Sequence, residues 1–402
     1  MPSLTQHAVK VLAALSAVAT SLVMAAGAAT AAPARTPAPP RPAAPGLRYQ
    51  VIRILSGMKL SHTYTPAGTS GPRSEPLTGP DDITRLGRHL YVGFQNGVGS
   101  QGQASSNGNL DSTVVELSLS GRPLRQWDIT GKCDGLVADP FGDRLIATVN
   151  EDGGSSLYVI RPDAPGAFGV RHFSYNVPLP HNGGTDAISV YRGMILISAS
   201  APGTTGSPAP QPTYPAVYRV TLDPASLVAT VHPLFYDEDT ATVANAGGPV
   251  RQVKLALTDP DSNAVVPFSA RRFGGDFELT SQGDKEQIYI QRPAGHRQRL
   301  FVLTLSNAVD DTAWATTTFG RLYVTDATAD TIDVVLGWFP RGAAFAAVTP
   351  CDANGAPPTC PAPPKFPPNY LGELNPWTGQ LTRVPLRGPD LQPKGMTFVA
   401  DR

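Results

Sequence analysis

The chain is poor in several things, and each shortage excludes something. Only three of its 402 residues are cysteine, so no disulfide framework holds it together. Lysine is scarce as well: seven of the 32 basic residues are Lys and 25 are Arg, against 32 acidic residues. The net charge is zero and no basic stripe runs along the chain, so nothing in the sequence recommends nucleic acid or an anionic membrane as a partner. Past residue 47 no segment keeps a 3.6-residue apolar period for three turns, which argues against a helical fold. No Gly-x-Ser-x-Gly elbow, His-Glu-x-x-His or phosphate-binding loop is present. A serine hydrolase, a zinc protease of the usual sort and a nucleotide enzyme are thereby disfavoured.

What is present begins with an export signal. His7 and Lys10 form a weakly basic start, and Val11 to Ala29 is almost wholly Ala, Leu, Val, Ser and Thr. The small residues Ala29-Thr30-Ala31-Ala32 then suit a signal peptidase. Residues 1–32 are therefore expected to be a signal peptide, and the protein to be secreted without stable membrane insertion. A retained anchor is the alternative, since about 19 weakly apolar residues just reach across a bilayer. Residues 33–46 form an Ala/Pro-rich linker, and residues 47–402 are expected to fold as one monomeric domain. Cys351 and Cys360 bracket a turn-rich loop. In an oxidising compartment they are expected to pair, contributing at most about 3 kcal/mol. Cys133 is left over, and an inert buried thiol suits it better than a nucleophile.

The rest of the chain reads as strands. Short β-branched and aromatic runs such as His89–Phe94, Leu145–Val149, Leu157–Ile160 and Val217–Val220 recur between Gly, Pro, Asn and Asp clusters. A repeat lies over them. Asp82-Ile83-Thr84, Asp134-Gly135-Leu136 and Asp186-Ala187-Ile188 each open a strand, at intervals of 52 residues. Asp261-Ser262-Asn263 and Asp311-Thr312-Ala313 continue the series less regularly. A period near 50 with about four strands per unit predicts an all-β fold, a β-propeller. Six blades are preferred and seven remain open. The spare strand Tyr49–Ile54 and the unfinished repeat Gly395–Val399 are expected to share a blade and close the ring, leaving no open sheet edge.

In a propeller the first strand of each blade lines a central channel, so a residue repeated at its start is brought into a ring. Here that residue is aspartate: Asp82, Asp134, Asp186, Asp261 and Asp311. Several carboxylates at one narrow opening repel unless a cation, water or backbone donors compensate them. Hard oxygen ligands suit Ca²⁺ or another divalent cation. An aspartate repeated once per blade also serves purely as a turn cap, and the spacing alone does not separate the two. His181, in the Gly-rich loop before Asp186, is the candidate acid/base. Leu257–Asn263 adds the densest acidic-polar cluster, without the Gly and terminal Glu of an EF-hand loop.

Gly320-Arg321-Leu322-Tyr323-Val324-Thr325-Asp326 resembles the repeat of NHL-type propellers. Asp134–Pro140 and Asp186–Ile188 resemble inner-strand openings of gluconolactonase-like propellers. That resemblance implies one divalent ion at the channel mouth and an aspartate, here Asp186, that assists lactone hydrolysis. Two departures stand against it: Asp134 occupies a place where such families carry Asn, and their early Glu-Gly-Pro is Gly79-Pro80-Asp81-Asp82 here. Two functions follow. One is a metal-dependent hydrolase or lyase acting on a small molecule, with Asp134, Asp186 and Asp261 as ligands and His181 as acid/base. The other is a non-enzymatic protein that holds an extracellular glycan, peptide or protein.

Overall fold

The computed structural model describes residues 49–166, 169–180, 183–200, 214–351 and 367–401. Among them there is no α-helix, and Gly57–Lys59 forms a 3-10 turn. The strands assemble as antiparallel units laid around a centre. The first unit is Pro80–Leu86, His89–Phe94, Asp111–Ser118 and Pro123–Thr130. The second is Cys133–Asp139, Arg144–Val149, Ser156–Ile160 and Val170–Tyr175, and the third is Gly184–Tyr191, Met194–Ser200, Pro215–Asp223 and Val228–Tyr236. The fourth is Pro260–Val265, Phe277–Ser281, Glu286–Gln291 and Arg299–Thr304, extended outward by the hairpin Thr240–Val243 and Gln252–Lys254. Phe301 thus lies on the fourth strand of its unit, where strand counting expects the third.

The last two units interleave in sequence. Ala308–Trp314 pairs with Ala344–Thr349, followed by Tyr370–Leu374 and Leu381–Arg383. Between those first two strands the chain leaves to build Gly320–Asp326 and Thr331–Leu336, the middle of the closing unit. Met396–Ala400 pairs on the inner side of that hairpin and Tyr49–Ser56 on its outer side. Both ends of the domain therefore lie in one sheet, as the spare strand and unfinished repeat imply. The inner strands contact one another in turn, and Met396–Ala400 returns to Pro80–Leu86. This is a propeller ring.

Burial follows from that arrangement. The second strands are covered on both faces by neighbouring units; Leu145–Val149 is buried throughout, whereas the outer Pro123–Thr130 is mostly exposed. The core is accordingly a series of interfaces between units rather than one centre. Ile146, Leu157 and Val159 pack on Ile188, Ile195 and Ile197 of the next unit. At the closure Ile83, Val92 and Leu117 pack with Tyr323, Ile332 and Val399. Deleting residues 395–402 strips Met396 and Val399 from these interfaces. At about 1.5–3 kcal/mol per buried side chain, thermal denaturation should show the whole domain melting well below the native protein. An unchanged melting temperature would remove the closure from the account of stability.

Candidate functional site at the channel mouth

Each of the first five inner strands carries a break in register near its start. The breaks lie between Pro80 and Ile83, Cys133 and Gly135, Thr185 and Ile188, Pro260 and Asn263, and Val309 and Thr312. A bulge of this kind leaves residues unpaired and re-aims their side chains. The unpaired residues include Asp81-Asp82, Asp134, Asp186-Ala187, Asp261-Ser262 and Asp310-Asp311. The closing unit has Lys394-Gly395 at the corresponding point, just before Met396. The local backbone thus puts one aspartate from each of the second, third and fourth units at the mouth, two from each of the first and fifth, and a lysine from the last.

Close approach of the next inner strand sets the residue that follows. A Cβ on Gly135 would stand 2.5 Å from the Asp186 carbonyl oxygen, and one on Gly395 2.4 Å from that of Asp81. Hydroxyls staple the same contacts: Thr148 Oγ1 donates to the Asp186 carbonyl and Thr325 Oγ1 to the Asp81 carbonyl, each at 2.6 Å.

All five expected aspartates, Asp82, Asp134, Asp186, Asp261 and Asp311, line one pocket. Asp81, Asp310, Glu151 and Lys394 join them there, and none of these four was expected from the sequence. The space between the side chains is that of a small ion or a water molecule. His181 lies outside the described residues, as does Cys360 of the expected disulfide. Cys133 is free and buried, its thiol pushed well up by burial and then by Asp134.

The carboxyl groups fall into three sets by what they accept. Asp82 and Asp311 are held by backbone of the next unit: Leu136 N–H donates to Asp82 Oδ2 at 2.8 Å, and Met396 N–H to Asp311 Oδ2 at 2.6 Å. These two act as architectural caps. Asp81, Asp134 and Asp310 are ion-paired. Lys394 Nζ lies 3.1 Å from Asp81 and 3.4 Å from Asp310, and Lys132 Nζ lies 2.7 Å from Asp134 and against Glu151. Gln95 Nε2 bridges Asp81 and Asp134. Asp186 and Asp261 form the third set. Among the described residues no donor reaches the Asp186 carboxylate, although the residue is only 7% exposed, and Asp261 Oδ2 is buried without a partner.

Eight carboxyl groups thus meet two ammonium groups, and they cannot all stay ionised without further compensation. Burial, then the Glu151 carboxylate, pushes Asp134 and Asp186 well above the usual carboxylate range. Burial and the neighbouring Asp186 do the same to Asp261. Asp81 rises to about 6 through burial, restrained by Lys394. Asp311 rises to about 7 through burial, against its backbone hydrogen bonds. Burial works against the Lys394 charge, but Asp310, Asp81 and Asp261 outweigh it and raise that group.

The donor set is chemically suited to a hard cation, since the mouth offers carboxylate oxygen and no described imidazole. Among the described residues no three acidic, His or Cys side chains are already gathered into a ligand cluster, so a cation would have to draw them in.

No protein-family model matches the chain, and no curated protein matches it. Similar solved structures include the periplasmic gluconolactonase of Pseudomonas aeruginosa, at 15% identity and a TM-score of 0.40, covering 88% of this chain and 99% of that one. A luciferin-regenerating enzyme is similar at 13% identity and a TM-score of 0.36, over 73% and 90% of the two chains. A β-propeller domain from Myceliophteria thermophila is similar at 11% identity and a TM-score of 0.35, over 75% and 82%.

Proposed function

We propose that the channel mouth is a divalent-cation site, Ca²⁺ being the cation that fits it best, and that the exported protein hydrolyses a small lactone or ester there. The observation that carries this reading is Asp261 Oδ2, buried without a partner in a pocket crowded with negative charge, which it shares with Asp186. Asp134, Asp186 and Asp261 would hold the ion, which when bound polarises a carbonyl oxygen and lowers the pKa of bound water. The chain's own residues do the rest. Glu151 N–H and Lys132 hold Asp134 in place. His181 is the proposed proton carrier, two residues before the described Gly183. The lactone class is what the likeness of Asp134–Pro140 and Asp186–Ile188 to gluconolactonase-like openings implies.

The test is hydrolysis of a panel of aliphatic lactones and aryl esters by chelator-treated protein, with and without Ca²⁺. Activity should appear only with Ca²⁺. It should fall at least about a hundredfold in Asp186→Asn and in His181→Ala, the scale of losing an acid/base group, with the fold intact by melting temperature. The second reading, a binding protein, is favoured by the ion pairs of Lys132 and Lys394, which already compensate part of the ring. It takes the lead if no substrate turns over and Ca²⁺ leaves the protein unchanged.

A further inference from the structure

The formal charge of the chain is zero, but the fold separates the signs. Carboxyl groups collect at the mouth. At the other end of the inner strands the turns carry exposed Arg88, Arg192 and Arg341. The same turns carry most of the aromatics that the fold leaves outside, the exposed Tyr236 lying at the other end opposite Pro215. Among the described residues, every Phe and Trp that is largely exposed lies there: Phe141 at 80% exposure, Phe268 at 79%, Phe319 at 69% and Trp338 at 44%.

Register places them. Phe141 sits in the turn after Asp139, which pairs with Arg144 at the end away from Asp134. Phe268 follows Val265, whose partner is Phe277, far from the Pro260 end. Phe319 precedes Gly320, paired with Ala400, and Trp338 follows Leu336, paired with Arg321. These turns also touch. The Arg192 guanidinium lies 5.8 Å from the Phe268 ring. A Cβ on Gly342 would stand 2.3 Å from the Ser269 carbonyl oxygen, so the turn of Arg341 meets that of Phe268. Phe339 N–H donates to the Thr318 carbonyl at 3.1 Å, joining the turns of Trp338 and Phe319. Of the nearby acids, Asp401 is paired with Arg321 and Asp139 with Arg144, Asp276 is buried, and Asp143 is exposed beside Phe141.

Large aromatics left in water at one end of a molecule mark an interaction surface. A protein partner ordinarily demands a continuous apolar centre with a polar rim. Here single rings stand at the tips of separate turns with arginines between them. That pattern suits a bilayer, where each ring sinks to headgroup depth and each guanidinium meets lipid phosphate. We propose that this face docks the protein on an anionic lipid bilayer, with the carboxylate mouth turned outward to the aqueous side. The negative surface supplies the complement to the arginines and leaves the acidic mouth away from it.

The test is sedimentation of the full-length chain with vesicles of phosphatidylcholine alone or mixed with phosphatidylglycerol, at about 0.1 M salt. Residues 11–29 are apolar in every variant, so the contrast between variants is what is read. Binding should be stronger on the anionic vesicles. It should fall about tenfold in Phe268→Ser/Phe319→Ser/Trp338→Ser, and about fivefold for each arginine lost in Arg192→Gln/Arg341→Gln. Asp186→Asn, at the other end, should bind as the native chain does. Equal binding by the native chain and both face variants overturns the proposal, as does equal binding to neutral and anionic vesicles. A dimer in solution that dissociates in the aromatic variant would assign the face to a second copy of the chain and overturn it too.

Discussion

In chelator, the protein should melt several degrees lower at pH 8 than at pH 5, and Ca²⁺ should remove most of that difference. The sign follows from the direction of the carboxyl shifts. Asp81 rises to about 6 and Asp311 to about 7, both chiefly through burial, from the ordinary carboxyl value of 3.8. A carboxyl raised on folding favours the folded state fully below its unfolded pKa and loses that contribution as pH rises through its folded pKa. The loss therefore runs from about pH 4 to about pH 7. For Asp81 alone the part of that loss lying between pH 5 and pH 8 is about one unit, on the order of 1.4 kcal/mol. His62 works in the same direction: burial lowers it, but Asp128 and Glu75 prevail and raise it, so its contribution also fades as pH rises. Glu116 and Asp223, both lowered, work in the opposite direction. They gain their contribution near and below pH 4, outside most of this window. Ca²⁺ competes with protons for the same oxygens, so its benefit should be greatest at pH 8. With one site at a hundredfold excess over Kd it is worth about 2.7 kcal/mol. Asp134→Asn/Asp186→Asn should keep the fold and lose the Ca²⁺ response. Differential scanning calorimetry at three pH values decides it. A flat profile with no response to Ca²⁺ would leave the ring to its lysines and backbone caps.

Much of this geometry was legible in the sequence because strand chemistry and a 52-residue interval are local signals. Asp134, Asp186 and Asp261 stand at the bulged position where the repeat puts them. In the first and fifth units the repeat points to Asp82 and Asp311, and these do line the mouth. They are spent, however, on Leu136 and Met396 N–H groups of the next unit, while Asp81 and Asp310 meet Lys394. A period does not reveal which residue of a two-residue bulge takes which job. The lysines escaped for a related reason. A search for one repeated residue type passes over the unit where the type changes, although Lys394-Gly395-Met396 has the small and aliphatic residues of Asp134-Gly135-Leu136 in the same order. Glu151 reaches the mouth from the far end of the strand Arg144–Val149, and no repeat marks it. The arginine and aromatic face was illegible altogether. Its members are scattered from Arg88 to Arg341, and only the shared hand of the units brings their turns to one end.

Replacing Lys394 with Met should have opposite effects on stability and on cation affinity. The ammonium stands where the first five units put an aspartate, and it bridges Asp81 and Asp310. Removing one partner of a buried pair costs about 3–5 kcal/mol, because the other charge is left uncompensated. The Lys394 side chain is 34% exposed, so solvent screens part of the interaction. A loss of about 1–3 kcal/mol in chelator at pH 8 is therefore expected. At pH 5 the loss should shrink, since Asp81, with its carboxyl raised to about 6, takes a proton in place of the ammonium. Lys394→Arg, which keeps the positive charge, should retain most of the stability that Lys394→Met loses. In calorimetric titration the Met variant should bind Ca²⁺ at least about tenfold more tightly than the native chain, since at short range a like charge removed from an ion site is worth a kcal/mol or more. Lys132→Met is the control for position. Its ammonium pairs with Asp134 and Glu151 but occupies no place in the ring, so the gain in affinity should come with weaker positioning of Asp134. If Lys394→Met instead weakened Ca²⁺ binding, Lys394 would be a structural prop of the mouth and not its resident cation. If its stability loss were the same at pH 5 and pH 8, Asp81 would not be the group it compensates.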